Sequence, residues 1–162
     1  MDERAYRLVE LRSLDEWPEN LVLASPRYVL LLACDASKLT VEAISGVAET
    51  MLRQGLVYVC CWGLDCERVH DIFDEVICEV VPLEEGTSTI MTTWHDGETF
   101  EDVVDFFRDC AEPAESDTGC RDWIIACVPT LPRPLPPARS CRSREAPGSR
   151  CKGKRPSVGG CV

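Results

Sequence analysis

At 162 residues and 45% hydrophobic, the chain is long enough for one domain with a real core and too apolar to be disordered throughout. Its net charge of −11 is unevenly spread: residues 1–128 carry nine Lys/Arg against 27 Asp/Glu, and residues 129–162 carry eight against one. So acidic a body repels phosphate backbones and anionic headgroups, which argues against nucleic-acid and membrane-surface binding by electrostatics.

The opening "MDERAYRLVELR" mixes both charge signs and has no apolar h-region, so it does not read as a signal peptide. The longest apolar run, "YVLLLAC", is far short of a membrane span. A cytoplasmic protein with no membrane partner is expected. "AYRLVEL" suits an additional N-terminal edge strand. "SLDEWPENL" starts like a capping box (Ser13, Glu16) but meets Pro18 almost at once.

"RYVLLLACD" (27–35) is continuously apolar, as in a strand covered on both faces. "KLTVEAISGVAETMLRQG" then has helical spacing, with Val41, Ile44, Ala48, Met51 and Leu52 on one stripe. Thr40 is placed to cap it, Leu39 and Ile44 to staple it, and Gly55 to end it. "LVYVCCW" (56–62) is a second apolar strand. Val69, Ile72, Phe73, Val76 and Ile77 form the stripe of a second helix, with Asp65 at its N-cap and Leu64 and Val69 at staple positions. "STIMTTWH" (88–95) reads as a third strand, "TFEDVVDFFRDCA" as a third helix capped by Thr99 and stopped before Pro113, and "DWIIACV" (122–128) as a fourth strand.

The order β-α-β-α-β-α-β predicts a small open, mainly parallel, four-stranded Rossmann-like sheet with helices on its faces and right-handed crossovers. It forms a single α/β domain over 1–128. Most of the eleven cysteines stand where a small hydrophobe would: Cys34, Cys60 and Cys127 in apolar runs, Cys78 and Cys110 late in helical patterns. Free buried thiols are the economical reading, ahead of a disulfide framework.

From Pro129 the composition changes: seven of the 11 prolines, four glycines and almost no large apolar residue. Residues 129–162 are therefore expected to be a disordered tail. Cys141, Cys151 and Cys161 fall ten residues apart with no histidine and no C-x-x-C, which disfavours zinc. An Arg/Pro/Ser/Gly/Cys mixture is also what a GC-rich gene yields in the wrong frame, so a frameshift or chance extension explains the tail better than its SH3-ligand-like "PLPPAR".

In an open parallel sheet ligands bind at the carboxyl ends of the strands. That edge gathers Cys34 and Asp35; Cys61, Trp62, Gly63, Asp65 and Cys66; Thr92, Thr93, Trp94, His95 and Asp96; and Cys127. The ligand-binding candidates are Asp35, Trp62, Asp65, Cys66, His70, Trp94, His95 and Asp96. A metal reading uses Cys66 and His70 with Cys61 or His95; Asp74 stands about 12 Å further along the helix, too far to join them. A thiol reading takes Cys66 as nucleophile at a helix N-terminus, His95 as base and Asp35 as orienter, against the opposing charges of Asp65, Glu67 and Asp71. A third reading gathers Asp35, Asp65, Asp96 and Glu98 for a hard cation such as Mg²⁺. "CDASK" matches no phosphate loop, so dinucleotide binding by the usual motif is disfavoured. Against these stand plain alternatives: His70 bordering the core, Cys66 tucked under the helix start, Asp65 and Asp96 as water-facing caps. Trp62 and Trp94 would form either a flat wall for a planar ligand or core plugs.

The blocks "WGLDCERVHDIFDE" and "TTWHDGE", with "YVLLLACDAS" and "GCRDWIIACV", resemble a family of small uncharacterised bacterial α/β proteins, a domain of unknown function. The resemblance spans about residues 20–128. It implies a bacterial source and the α/β fold, and carries no activity, cofactor or site residue.

With no catalytic motif and no loop long enough for a lid, the leading expectation is a non-catalytic, regulatory module that binds a small-molecule ligand or protein partner at the strand-end edge. One rival is a cysteine- or metal-dependent, hydrolase-like enzyme using Cys66, His70, His95 and Asp35. Another is an acidic inhibitor or immunity-type factor that binds a protein partner.

Overall fold

The computed structural model describes residues 4–81, 89–117 and 119–128, together with the backbone of 157–158. Five parallel strands form the sheet: β1 Ala5–Glu10, β2 Tyr28–Ala33, β3 Leu56–Trp62, β4 Met91–His95 and β5 Asp122–Cys127. Their order across the sheet is β1-β5-β2-β3-β4. The expected four strands are thus five, because "AYRLVE" pairs with β5 along its whole length. A two-residue strand, β6 Ser157–Val158, lies antiparallel beside the start of β4. The rest of the tail expected to be disordered falls outside the described residues.

Three helices connect the strands: α1 Val41–Arg53, α2 Cys66–Val80 and α3 Phe100–Asp109. The crossovers β2-α1-β3 and β3-α2-β4 step in one direction across the sheet, and β4-α3-β5 steps back. With handedness held constant, that reversal puts α3 on the opposite face. The core divides accordingly. Leu30, Leu32, Val59, Cys61 and Ile124 pack under α1 and α2 with Ile44, Met51, Val69 and Phe73. Val29, Leu31, Cys60 and Trp123 pack under α3 with Val103 and Phe107.

Local signals explain most of the boundaries. Thr40 accepts from the Ala43 amide and Thr99 from the Asp102 amide, each at 3.2 Å, as capping residues do. Gly55 follows α1 at φ 99°, and a Cβ there would meet the Pro26 carbonyl at 2.1 Å. All five predicted apolar residues of α2 are buried.

Several expectations need correcting. In α1 the inner face is Ile44, Val47, Ala48 and Met51, while Val41, at the first helical position, points outward. Asp65 stands at the N-cap of α2 without capping it: at φ 62° its carboxylate turns to Arg68 instead. Leu64 is 58% exposed, so no staple forms with Val69. Ser13 makes no side-chain cap, and its helix is a single 3₁₀ turn, Leu14–Glu16, although Glu16 does accept from the Arg12 amide. β4 is shorter than predicted, beginning at Met91.

Among the described cysteines, Cys34, Cys60, Cys61, Cys66, Cys120 and Cys127 are free thiols. Cys78 and Cys110 are disulfide-bonded, against the free-thiol expectation for these two.

Candidate functional site

The carboxyl ends of the strands finish level with one another: Cys127 beside Ala33, Ala33 beside Trp62, Trp62 beside His95. The chain leaves β3 toward α2 on one face and leaves β4 toward α3 on the other. The two loops diverge there, and the crevice between two such diverging loops is where open α/β sheets take ligands. Its walls are Gly63-Leu64-Asp65 at the start of α2 and Asp96-Gly97-Glu98 at the start of α3.

The β3–α2 wall is built tightly. Gly63 sits at φ 117° with its Cα against β2; a Cβ would come within 2.0 Å of the Cys34 carbonyl. The Ala36 amide donates to the Leu64 carbonyl at 3.0 Å, carrying the strand ladder into the loops. Arg68 then ties three segments together. Its Nε donates to Asp65 at 2.6 Å, and its Nη2 donates to the carbonyls of Ala36 and Leu39. This clamp was not singled out from sequence, although the i, i+3 spacing of Asp65 and Arg68 is a readable signal. Across the crevice, the Trp62 indole donates to the Glu98 carbonyl at 2.9 Å and tilts against Phe100.

The candidate residues separate by face. Successive strand residues point to opposite sides, so Cys61 and Trp94 face α2, while Trp62 and His95 face α3. The two indoles are thus on opposite sides of the sheet and do not form one wall. His70 lies on the α2 side against Trp94, with ring centroids 4.6 Å apart. Its Nε2 is 3.1 Å from Thr92 Oγ1 and its Nδ1 3.0 Å from Asp71. His95 lies on the other side against Phe106, with Nε2 3.2 Å from Thr93 Oγ1 and Nδ1 3.1 Å from Glu98. Both rings are buried, and the sheet stands between them. Asp74, expected to be remote from Cys66, accepts from Thr92 Oγ1 at 2.7 Å and completes the His70 cluster.

The thiols are core groups. Burial pushes Cys66 up, and Asp96 adds to this; the His95, Cys66 and Glu67 backbone amides pull the other way. Cys34 is pushed up to about 12 by burial, with smaller contributions from Asp35 and Cys66. Cys61 is raised well above the ordinary thiol value, again by burial first. Cys66 therefore meets His95 through that residue's backbone, while the His95 imidazole points to the far face. Asp35 is occupied locally: it accepts from the Ser37 amide at 2.9 Å and hydroxyl at 2.6 Å, and these bonds lower its pKa. Among the described residues, no three His, Cys, Asp or Glu side chains converge as ligands for one ion.

What remains at the crevice mouth is charge facing water. Glu67, Asp96, Glu101 and Asp102 are exposed, as is Leu64 in the β3–α2 loop. Glu67, Glu101 and the exposed Leu64 were not among the residues predicted for the site. A short loop at a switch point is the signal that could have found them. Chemically this rim can attract cations and cover a small apolar group; it offers no activated nucleophile.

The family model described as Domain of unknown function (DUF7684) matches residues 6–130. The chain belongs to that family. No curated protein and no solved structure matches it.

Proposed function

We propose that this DUF7684 domain is a non-catalytic binding module that takes a basic protein surface at the crevice between the β3–α2 and β4–α3 loops. One observation carries the reading: at the strand ends the thiols of Cys34, Cys61 and Cys66 and both imidazoles are buried, whereas Leu64, Glu67, Asp96 and Glu101 are exposed. Lys and Arg side chains suit such a rim, since their apolar stems can lie on Leu64 while the charged heads meet the carboxylates. The body, with 27 acids against nine bases, would steer such a partner from a distance. An inhibitor or immunity-type role is the same physics seen from the partner. A small-molecule ligand at the same crevice is the narrower form of the proposal.

The rival reading, a Cys66 nucleophile with His95 and Asp35, requires three groups to meet that here face three ways. A thiol-reactivity profile at neutral pH separates the two: the proposal expects Cys66 to react more slowly than free cysteine, and a faster Cys66 favours the enzyme. A cytoplasmic location belongs to the proposal too: six thiols are free, and the disulfide-bonded Cys78 and Cys110 count against it. No helix among the described residues is long and apolar enough to cross a membrane. The direct test is calorimetric titration with a Lys/Arg-rich peptide at low salt, against the wild type and a Glu67→Gln/Asp96→Asn/Glu101→Gln variant. The variant is expected to bind about tenfold more weakly, from roughly 0.5 kcal/mol per exposed charge. Equal affinity for both would overturn the crevice as the site.

A further inference from the structure

Cys78, exposed in the last turn of α2, is disulfide-bonded. Cys34, Cys60, Cys61, Cys66, Cys120 and Cys127 are free thiols, so within the chain its partner is Cys110, Cys141, Cys151 or Cys161. The placement of α2 and β6 discriminates among these four. His70, Asp74 and Cys78 stand at i, i+4 and i+8, on one line of the helix. The first two meet Thr92 of β4, His70 at 3.1 Å and Asp74 at 2.7 Å. Cys78 lies one further turn, about 6 Å, along the axis. α2 starts at the carboxyl end of β3 and returns to the start of β4, so that turn leads toward the amino end of the sheet.

β6 lies on the outer edge of β4 at the same place. Ser157 pairs with Thr92 and Val158 with Met91, antiparallel. Continued in that direction, the chain after Val158 leads past the start of β4 to the level of Cys78, and the chain before Ser157 leads away from it. Cys161 follows Val158 by three residues, a reach of up to about 10 Å. Gly159 and Gly160, which come between, leave the backbone free to turn. Cys151 and Cys141 precede Ser157 by six and sixteen residues, on the departing side. Cys110 ends α3, which packs on the other face of the sheet.

We infer that Cys78 is bonded to Cys161, and that this bond is a reducible clasp holding β6 on β4. Two ladder positions are a weak hold against the freedom of the chain attached to them, and the covalent bond supplies the rest. Cys78 is exposed, so a thiolate can reach the bond. A monothiol such as glutathione attacks one sulfur, forming a mixed disulfide and freeing the other cysteine as a thiol. A second molecule then takes the first away as its own disulfide and leaves both cysteines reduced. With β6 released, β4 becomes the outer strand of the sheet. Disulfides in reducing compartments are usually transient and regulatory, which reconciles this bond with six thiols that stay free.

Peptide mapping of the full chain, with free thiols blocked before digestion and no reductant added, tests the pairing. Trypsin leaves Cys78 as the only cysteine of 69–108 and Cys161 as the only cysteine of 155–162. These two peptides are expected to run joined. Cys78 found blocked, or joined to Cys110, Cys141, Cys151 or a second chain, overturns the inference. The clasp has its own readout in backbone hydrogen exchange. Residues 91–92 and 157–158 are expected to exchange about tenfold faster after glutathione treatment, with 57–61 of β3 unchanged. Cys161→Ser should exchange at the faster rate with or without glutathione. Equal rates before and after the bond is broken, or a Cys161→Ser chain that matches the oxidised wild type, overturn the clasp.

Discussion

The two ends of the sheet hold their carboxylates in opposite ways. At the amino end Asp122 is 2% exposed and accepts from the Ala24 and Ser25 amides and the Ser25 hydroxyl, the last two at 2.8 Å. Nearby, the buried Asp117 faces Arg27 at 3.0 Å. At the carboxyl end Glu67, Asp96 and Glu101 are exposed, as is Leu64. A carboxylate taken out of water must have its acceptor sites filled or it destabilises the fold. The amino end therefore reads as a structural latch, closing the β1–β2 connection onto β5. The carboxyl end leaves its charges available to something outside the chain.

The difference can be pressed from both ends. The largest effect is expected at high pH, because the thiols beneath the crevice, Cys34 and Cys60 among them, are neutral core groups pushed up to about 12 by burial. An unfolded thiol ionises near about 8.5. Below that value both states hold the proton, and these groups cost nothing. Above it the unfolded chain loses protons that the folded one keeps. Stability should then fall by about 1.4 kcal/mol per pH unit for each such thiol until the folded value is reached. Urea midpoints between pH 7 and 10 measure this; a flat profile would mean that the carboxyl-end thiols are open to solvent.

Next comes the latch. Asp122→Ala strands the buried Ser25 amide and removes the acceptor of the Ala24 amide, and should cost about 3 kcal/mol, read as a drop in Tm of roughly 6–12 °C. Gly63→Ala drives a Cβ into the Cys34 carbonyl and demands a positive φ of alanine, for about 2 kcal/mol in the same melt. Smallest of all, Glu67→Gln with Asp96→Asn should leave stability within about 1 kcal/mol of the wild type. If that double variant were as damaging as Asp122→Ala, the contrast between the ends would collapse.

Much of the architecture was legible in the chain. β2 and β3 are uninterrupted apolar runs with strong punctuation at Pro26 and Gly55, and the stripe of α2 has no competing period. Where propensity met context the reading slipped. Val41 shares the apolar spacing of α1, yet at the first helical position it precedes the core contact, and Val47 takes its place. Asp65 is a natural capping residue that the tight Gly63 turn forces into a left-handed conformation, where its carboxylate meets Arg68 instead.

The strand-end edge was legible in the chain, but the grouping of its side chains was not. Strand topology gathers Trp62, Cys66, Trp94 and His95 at one edge, and the structure places all four there. Which face each occupies depends on register, which single-strand patterning does not contain. "CCW" and "TTWH" look like two copies of one ending, but Trp62 aligns with His95 and Cys61 with Trp94. That offset of one residue sends the two tryptophans to opposite sides, Trp62 with His95. The Asp122 latch escaped notice for a related reason: an aspartate opening a strand looks like a solvent-facing boundary until Ser25, 97 positions earlier, is seen to close over it.

The most direct test of the contrast is an amide chemical-shift map of the protein titrated with a Lys/Arg-rich peptide at low salt. Shifts confined to residues 63–67 and 96–102, with 24–27 and 117–122 unmoved, are the predicted result. Shifts spread evenly over the acidic surface, or centred on the amino end, would contradict it.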